Sequence, residues 1–422
     1  MQSAQRTTRN TGRTSTFGVA MVLTLYMAIV FGFGLYLFSM LVTYMHKNLG
    51  FDIPAVGVIT GGAQISFLIA SMICSRLTRR FSGGNVIASA VLTAGVLLVF
   101  LSAVHNVWQA GALLIALGAC AAMMVIPTVN VVGKVVPVAW QSSVNGLISS
   151  GTAYGQFANG LLVPFLIYNY DWRTVWMVTG LVSVVAGIIG YITLRILAAE
   201  AFGSDDRKND KQEERISANP NHIRLLIKRE NILIWMLLAL SGMACGPWQN
   251  YLASFLGNER GFSISFIGQL WSVIGITGLA SGFAFGLLAD KVGVRKVLAI
   301  SYAILFTAAA LVAIKDSFLA LRVAAVAFGL SFYSVYGLIP AYITKTSSPR
   351  SSTTIFAVAN VFLGVGTSFG NIGSGYLQSL LGSFQGIYTG VGVIAIVGII
   401  LSFILPDERT SARTGRSSDV AP

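Results

Sequence analysis

The chain has 422 residues, of which 55% are hydrophobic and only 10% are charged. Soluble domains carry about 25% charged residues, so this composition excludes an ordinary soluble protein and predicts a chain surrounded mostly by lipid. The net charge of +13 does not indicate a nucleic-acid partner, because the basic residues lie in the connections between apolar segments, where such charges set membrane topology.

Twelve apolar segments follow one another, each close to the roughly 20 residues that a helix needs to cross a bilayer. The first is too long for the apolar core of a signal peptide, so we expect it to be retained. The weakest separation lies between the third and fourth segments, at His105 and Asn106. The predicted spans are 17–45, 55–75, 85–104, 107–133, 141–168, 174–198, 231–256, 264–288, 297–314, 318–343, 352–381 and 386–405.

The basic residues predict the orientation of these spans. An even number of spans puts both termini on one side, and only five of the 28 Lys and Arg residues fall on the other side. Because cytoplasmic connections carry the excess of Lys and Arg, we expect a multi-pass protein of a bacterial-type inner (plasma) membrane with both termini in the cytoplasm. The five outside residues are Lys47, Arg173, Arg260, Lys315 and Arg322.

A polar segment of mixed charge divides the spans into two sets of six, and its composition is typical of a solvated linker. The predicted organisation is a cytoplasmic N-tail (1–16), a first six-helix half (17–198), a cytoplasmic central loop (199–229), a second six-helix half (230–405) and a cytoplasmic C-tail (406–422).

The two halves repeat each other at offsets of 211 to 213 residues. A parallel repeat of two six-helix halves is typical of transporters whose substrate site lies near the bilayer midplane, between the halves. The matching pairs are 50–57 with 261–268, 126–127 with 339–340, Gly151 with Gly364, and Gly160 with Gly373.

Spans five and eleven also carry residues suited to helix packing. Small residues four apart allow two helices to approach closely, and amides beside them can hydrogen-bond between helices. We expect close approach at Gly151, Gly155, Gly366 and Gly370, and interhelical hydrogen bonds from Asn159, Asn360 and Asn371.

The connection between spans eight and nine reads Gly-Leu-Leu-Ala-Asp-Lys-Val-Gly-Val-Arg-Lys-Val-Leu over residues 286–298. This run resembles the cytoplasmic signature of the major facilitator superfamily. The resemblance implies an all-α membrane protein of twelve transmembrane helices in two six-helix pseudo-repeat halves, with a conformational latch at Asp290, Arg295 and Lys296. The corresponding run of the first half, 75–87, has Arg79 where the family has an aspartate.

A second resemblance is shorter. Trp172 and Arg173, at the start of span six, are similar to a Trp-Arg pair of the monocarboxylate and oxalate/formate-type carriers of the same superfamily. That resemblance implies a carboxylate substrate. Those carriers place an arginine in span eight to hold the carboxylate, however, and span eight of this chain has no basic residue.

The candidate substrate site consists mainly of neutral polar and aromatic residues. The family resemblance implies that spans one, four, seven and ten surround the cavity, and Gly246 and Pro247 are placed to interrupt span seven there. An ionisable residue in a span is a functional candidate, which singles out Arg322, although such a side chain can also extend to the interface. The candidates are Tyr26, Tyr36, Asn130, Trp248, Gln249, Asn250, Tyr251, Trp271, Arg322, Tyr333 and Tyr336.

These features predict a secondary transporter that works by alternating access and functions as a monomer in the bilayer. We expect uptake of a small solute, either a carboxylate or a neutral aromatic or heterocyclic nutrient such as a vitamin, driven by a gradient of protons or of the solute. Efflux of drugs or metabolites and a solute-sensing role are the alternatives. No catalytic constellation, cofactor or metal site is expected, because Cys74, Cys120 and Cys245 lack ligand spacing.

Overall fold

The computed structural model describes residues 16–199, 228–314, 317–347 and 349–408. The predicted tails and central loop lie largely outside these ranges. Within them the chain is helical and contains no strand, which confirms the all-α fold class.

Twelve long helices follow one another in the described ranges. Two of them contain a wider π-helical stretch, at Ala28–Tyr36 in the first and at Phe255–Glu259 in the seventh. The helices are α1 (Thr16–Leu49), α2 (Ile53–Phe81), α3 (Gly83–Leu101), α4 (Val107–Val135), α5 (Val138–Asn169), α6 (Trp172–Leu197), α7 (Arg229–Glu259), α8 (Ile264–Val292), α9 (Val294–Ile314), α10 (Phe318–Thr346), α11 (Pro349–Leu381) and α12 (Gln385–Ile404).

Among the described residues, eleven helices are long and apolar enough to cross a membrane, and α5 is the exception. Its length is sufficient, but glycines, serines, Gln156 and Asn159 lower its hydropathy. The chain is therefore a multi-pass membrane protein with one unusually polar long helix. The predicted break between spans three and four is confirmed, because the Asn106 side chain accepts the Gln109 N–H at 2.9 Å and caps α4.

The chain forms two compact units. Unit 1 contains the chain up to Phe38 together with Ser66–Glu213, and unit 2 contains Ser39–Ile65 together with Glu214–Pro422. The end of α1 and the beginning of α2 thus belong to unit 2, although they lie in the predicted first half.

Close helix approach at the predicted glycines is confirmed in both units. In unit 1, a Cβ built on Gly151 would lie 2.3 Å from the carbonyl oxygen of Thr24, so α5 packs directly against the α1 backbone. In unit 2, a Cβ built on Gly366 would lie 2.1 Å from the carbonyl oxygen of Ala239, so α11 packs against α7 in the same way. These contacts hold each pair of helices rigidly.

Candidate functional site

Arg322, near the start of α10, extends toward α8. Its Nη2 donates a hydrogen bond to Oε1 of Gln269 at 3.3 Å, and its guanidinium carbon lies 5.8 Å from the centre of the Phe266 ring. Arg322 and Gln269 are both exposed, and no carboxylate in the described ranges forms an ion pair with Arg322. An uncompensated cation on an apolar helix is costly. The remaining N–H donors of the guanidinium and of the Gln269 amide suit a carboxylate.

The four α7 candidates lie inside unit 2. Trp248, Gln249, Asn250 and Tyr251 are all buried. The Trp248 ring stacks on Phe328 of α10, with centroids 4.4 Å apart and planes 4° apart. The structure therefore places these residues in helix packing, where they anchor α7 to its neighbours.

Asn250 and Tyr251 join a polar network with α11. Asn250 Nδ2 donates to the Asn371 Oδ1 at 3.1 Å and to the Gly246 carbonyl at 3.0 Å, and the Tyr251 hydroxyl donates to the Asn371 carbonyl at 2.9 Å. The expected interhelical role of Asn371 is confirmed. Asn360 differs, because its amide donates to Phe356 on its own helix.

Helix α7 continues through Gly246 and Pro247, so the expected interruption of span seven is wrong. Proline removes one backbone donor and leaves the Met243 carbonyl without its usual partner. Helix α11 packs closely against this position, since a Cβ built on Gly370 would lie 2.5 Å from that same carbonyl oxygen.

The remaining candidates of unit 2 lie on α8 and α10. Trp271 is fully buried, and its indole N–H has no hydrogen-bond partner in the described residues. The Tyr333 ring covers Gly278 of α8, where a Cβ would lie 2.3 Å from a ring carbon. Tyr336 is more exposed and lies edge-on to Phe332, with ring centroids 5.0 Å apart.

The other three candidates belong to unit 1. The Tyr26 hydroxyl is buried and donates to the Gly187 carbonyl of α6 at 2.8 Å, which ties α1 to α6. Tyr36 is half-buried, at the end of the π-helical stretch of α1, and Asn130 of α4 is exposed. The structure thus divides the predicted candidate set between the two units.

The three predicted latch residues, Asp290, Arg295 and Lys296, have separate surroundings in unit 2. Asp290 forms an ion pair with Lys345 of α10 at 2.8 Å, and both side chains are largely exposed. Arg295 instead donates from Nη1 to the Leu405 carbonyl at 3.3 Å, and Lys296 is exposed. The acidic residue of the signature therefore bridges α8 to α10, while Arg295 holds the segment that follows α12.

Glu408 completes this end of unit 2. Its carboxylate is 4% exposed and accepts the N–H of Val294, the first residue of α9. A negative charge at that position stabilises the helix N-terminus. Sequence reasoning missed Glu408 and Lys345, because each pairs with a residue far away in the chain. Their only sequence signal is a charge placed at a span end.

Arg173 has a packing role in the structure. Its Nη1 donates to the carbonyls of Ser102 at 2.9 Å and Val104 at 2.8 Å, and its guanidinium carbon lies 4.4 Å from the centre of the Trp172 ring. These contacts join the start of α6 to the connection between α3 and α4. They give this pair a structural function within unit 1.

Comparison with known proteins identifies the fold family. The family model described as Major Facilitator Superfamily matches residues 23–370 and 248–421. Two solved structures share the fold at 14% sequence identity. A bacterial homolog of the human lysosomal transporter Spinster, inward-facing and unoccupied, gives a TM-score of 0.77 over 96% of this chain and 98% of that one. The nucleoside transporter NupG gives 0.75 over 92% and 99%.

Three curated relatives are similar in sequence. Multidrug resistance protein MdtG of Proteus mirabilis (strain HI4320) is 25% identical over 58% of this chain. Probable anion transporter 6, chloroplastic, of Arabidopsis thaliana is 23% identical over 67%. The chain spans only 61% and 52% of the length of these two relatives. The probable galactarate/D-glucarate transporter GudP of Bacillus subtilis (strain 168) is 25% identical over 86% of this chain and 85% of its own.

Proposed function

We propose that this chain, which belongs to the Major Facilitator Superfamily, takes up a small organic anion that bears a carboxylate, with Arg322 as the anion-binding residue. The chain is a secondary transporter of small solutes and not an enzyme. What we propose beyond this is that the substrate is an anion, that the transport is uptake, and that Arg322 binds the substrate.

The observation that carries the proposal is the charge of Arg322. The guanidinium is exposed on an apolar helix, it contacts a neutral amide and an aromatic ring, and no carboxylate in the described residues compensates it. A bound carboxylate would supply the missing negative charge and accept two N–H donors at once. The hydrogen bond to Gln269 fixes the orientation of the guanidinium before the anion binds.

The relatives favour the same class of solute. Two of the three are named for anions, one in general terms and the other for galactarate and D-glucarate. The relative aligned over the largest share of both chains belongs to this group. A neutral ring compound bound by α7 has less support, because Gln249 and Asn250 are buried and Asn250 is occupied by Asn371 and Gly246.

The test is uptake into proteoliposomes of two labelled panels, hydroxycarboxylates and neutral ring compounds, with and without an inward proton gradient. We expect uptake of a carboxylate, and a KM that rises about 10- to 100-fold in Arg322→Gln, since a hydrogen bond to a charged group contributes about 1.5–3 kcal/mol. The matched control is Arg260→Gln, which removes an arginine that also lies over an aromatic ring, Phe255, but outside the apolar span.

Two outcomes would contradict the proposal. Uptake restricted to neutral compounds would exclude an anionic substrate. Equal losses in Arg322→Gln and Arg260→Gln would show a general effect of positive charge and remove Arg322 from the site. Dependence of the uptake on the proton gradient decides whether the transport is coupled to protons.

A further inference from the structure

We infer that the end of unit 1 at which α2 meets α3 binds the headgroup of an anionic phospholipid, with Arg76 and Arg80 on the phosphate and the adjoining face of α2 along an acyl chain. The inference does not depend on the substrate, because it concerns a different unit of the chain and a different ligand. It starts from the two copies of the signature loop, which have the same backbone shape and different charges.

In unit 2, carboxylates lie beside this loop. Asp290 pairs with Lys345, and the buried Glu408 carboxylate occupies the N-terminus of α9 at Val294. The connecting residue, Gly293, has a φ of 99°. The turn between α8 and α9 has two positive features, its basic side chains and the helix N-terminus. Glu408 opposes the helix N-terminus directly, and Asp290 adds a negative charge beside the turn.

In unit 1, the corresponding turn keeps its positive features without described acids. Ser82 takes the place of Gly293, with a φ of 66° that is unusual for a residue with a side chain. Its hydroxyl is buried, has no hydrogen-bond partner among the residues that the structure describes, and does not cap the α3 helix that begins at Gly83. Arg76 and Arg80 are exposed, and neither forms a hydrogen bond or an ion pair in the described residues.

A third cation lies close to this turn. A Cβ on Gly83 would be 3.2 Å from the Val131 side chain of α4, and Val131 lies about one turn before Lys134. The end of α2, the start of α3 and the end of α4 thus bring Arg76, Arg80 and Lys134 to one end of the unit. Clusters of this kind, next to a spanning helix, attract anionic headgroups.

The neighbouring surface of α2 identifies the occupant as a lipid and not a soluble anion. Ile69 and Met72 are 54% and 66% exposed, and they precede Arg76 and Arg80 at spacings of three and four residues, which places all four on one helix face. The opposite face, at Ala70 and Cys74, is buried. One face therefore presents apolar side chains within the span and two cations at its end, which matches the chemistry of an acyl chain and its headgroup.

The experiment measures binding of phosphatidylglycerol to the full-length protein in micelles of a neutral detergent, with phosphatidylcholine of the same acyl chains as the reference lipid. We expect preferential phosphatidylglycerol binding that weakens with salt. Each removed arginine should weaken it about five-fold, the change that corresponds to about 1 kcal/mol per basic residue at an anionic surface. Arg76→Gln/Arg80→Gln should therefore lose roughly 25-fold.

Two further variants make the result specific. Lys291→Gln/Lys296→Gln removes the same charge beside the turn of unit 2, where described acids are close, and should change binding by less than about two-fold. Arg76→Lys/Arg80→Lys keeps the charge and should retain most of the binding, which also covers the case in which the glutamine pair fails to fold.

Three results would overturn the inference. The first is phosphatidylglycerol binding that is unchanged in the glutamine pair. The second is an equal loss in the Lys291 and Lys296 control. The third concerns the acids of the chain's own central loop: if binding appears only after Asp205, Asp206, Asp210, Glu213 and Glu214 are changed to their amides, that loop and not a lipid occupies the surface.

Discussion

The α1–α5 interface of unit 1 and the α7–α11 interface of unit 2 have the same steric design and different polar content. Both rely on glycines whose added Cβ would overlap a backbone atom of the partner helix, at 2.3 Å for Gly151 and 2.1 Å for Gly366. Both place one buried asparagine on the C-terminal side of the glycine contact, Asn159 in α5 and Asn371 in α11.

The two asparagines differ in their partners. Asn159 donates to the Gly32 carbonyl of α1 at 2.7 Å, and its Oδ1 is buried without a partner in the described part of the chain. Asn371 accepts from Asn250 and Tyr251 on α7, and its carbonyl oxygen also lies where a Cβ on Gly57 of α2 would come within 2.4 Å. The repeat therefore preserves the backbone contact, while each unit has its own hydrogen bonds.

The largest expected effect comes from filling the shared glycine contact. Gly151→Val and Gly366→Val should each destabilise the protein by about 3 kcal/mol or prevent its accumulation in the membrane, because the nearest atoms are backbone carbonyls that cannot rotate away. Thermal unfolding in detergent measures the loss. Gly373→Ala on the same α11 is the control, since nothing lies within 4 Å of its added Cβ. If Gly366→Val and Gly151→Val both unfold at the temperature of the unchanged protein, the two interfaces do not depend on this contact.

The helices and the glycine contacts that the two interfaces share could be predicted from the sequence. Small residues four apart and apolar runs of sufficient length are local patterns, so the twelve helices and the approach at Gly151 and Gly366 follow from them. The amide roles of Asn159 and Asn371 follow from their position beside the glycines. The prediction of a break at Pro247 is wrong, because the close packing of α11 against α7 at Met243 is not visible in the sequence of α7.

The side-chain pairings that differ between the two units could not be predicted from the sequence. The pairing of Asp290 with Lys345, and the cap that Glu408 provides for Val294, join residues from different helices whose side chains meet only after the helices have packed. The signature around Asp290 predicts a latch, and that role stays a prediction. The partner of Asp290, Lys345, depends on how α10 is rotated against α8. For the same reason the α7 aromatics were candidates for a cavity, whereas stacking of Trp248 on Phe328 places them in the interior.

A smaller effect separates the two asparagines. Asn371→Leu should lower the free energy of unfolding by about 2 kcal/mol and Asn159→Leu by about 1 kcal/mol. The first substitution leaves a buried N–H of the Asn250 amide without its side-chain acceptor, while the bond from Tyr251 to the backbone carbonyl remains. The second removes a single hydrogen bond, to the Gly32 carbonyl. Thermal or denaturant unfolding of both variants measures the difference. Adding Asn250→Leu should partly rescue Asn371→Leu and leave Asn159→Leu unaffected. Equal losses for the two asparagines would show that the polar networks are equivalent after all.

The smallest expected effect concerns Ser368, which gives α11 a contact with α2 inside unit 2. Its hydroxyl donates to the Gly61 carbonyl at 3.2 Å as well as to Gly364 on its own helix. Among the described residues, buried Ser402 of α12 donates only within its own helix, to Gly398 at 2.7 Å. Ser368→Ala should therefore cost about 0.6 kcal/mol more than Ser402→Ala, the average worth of an interhelical hydrogen bond in a membrane protein. A Cβ built on Gly61 would lie 2.8 Å from the Ile372 side chain, so α2 and α11 also pack closely at this point. A difference near zero would mean that this close packing, and not the hydrogen bond of Ser368, joins α2 to α11.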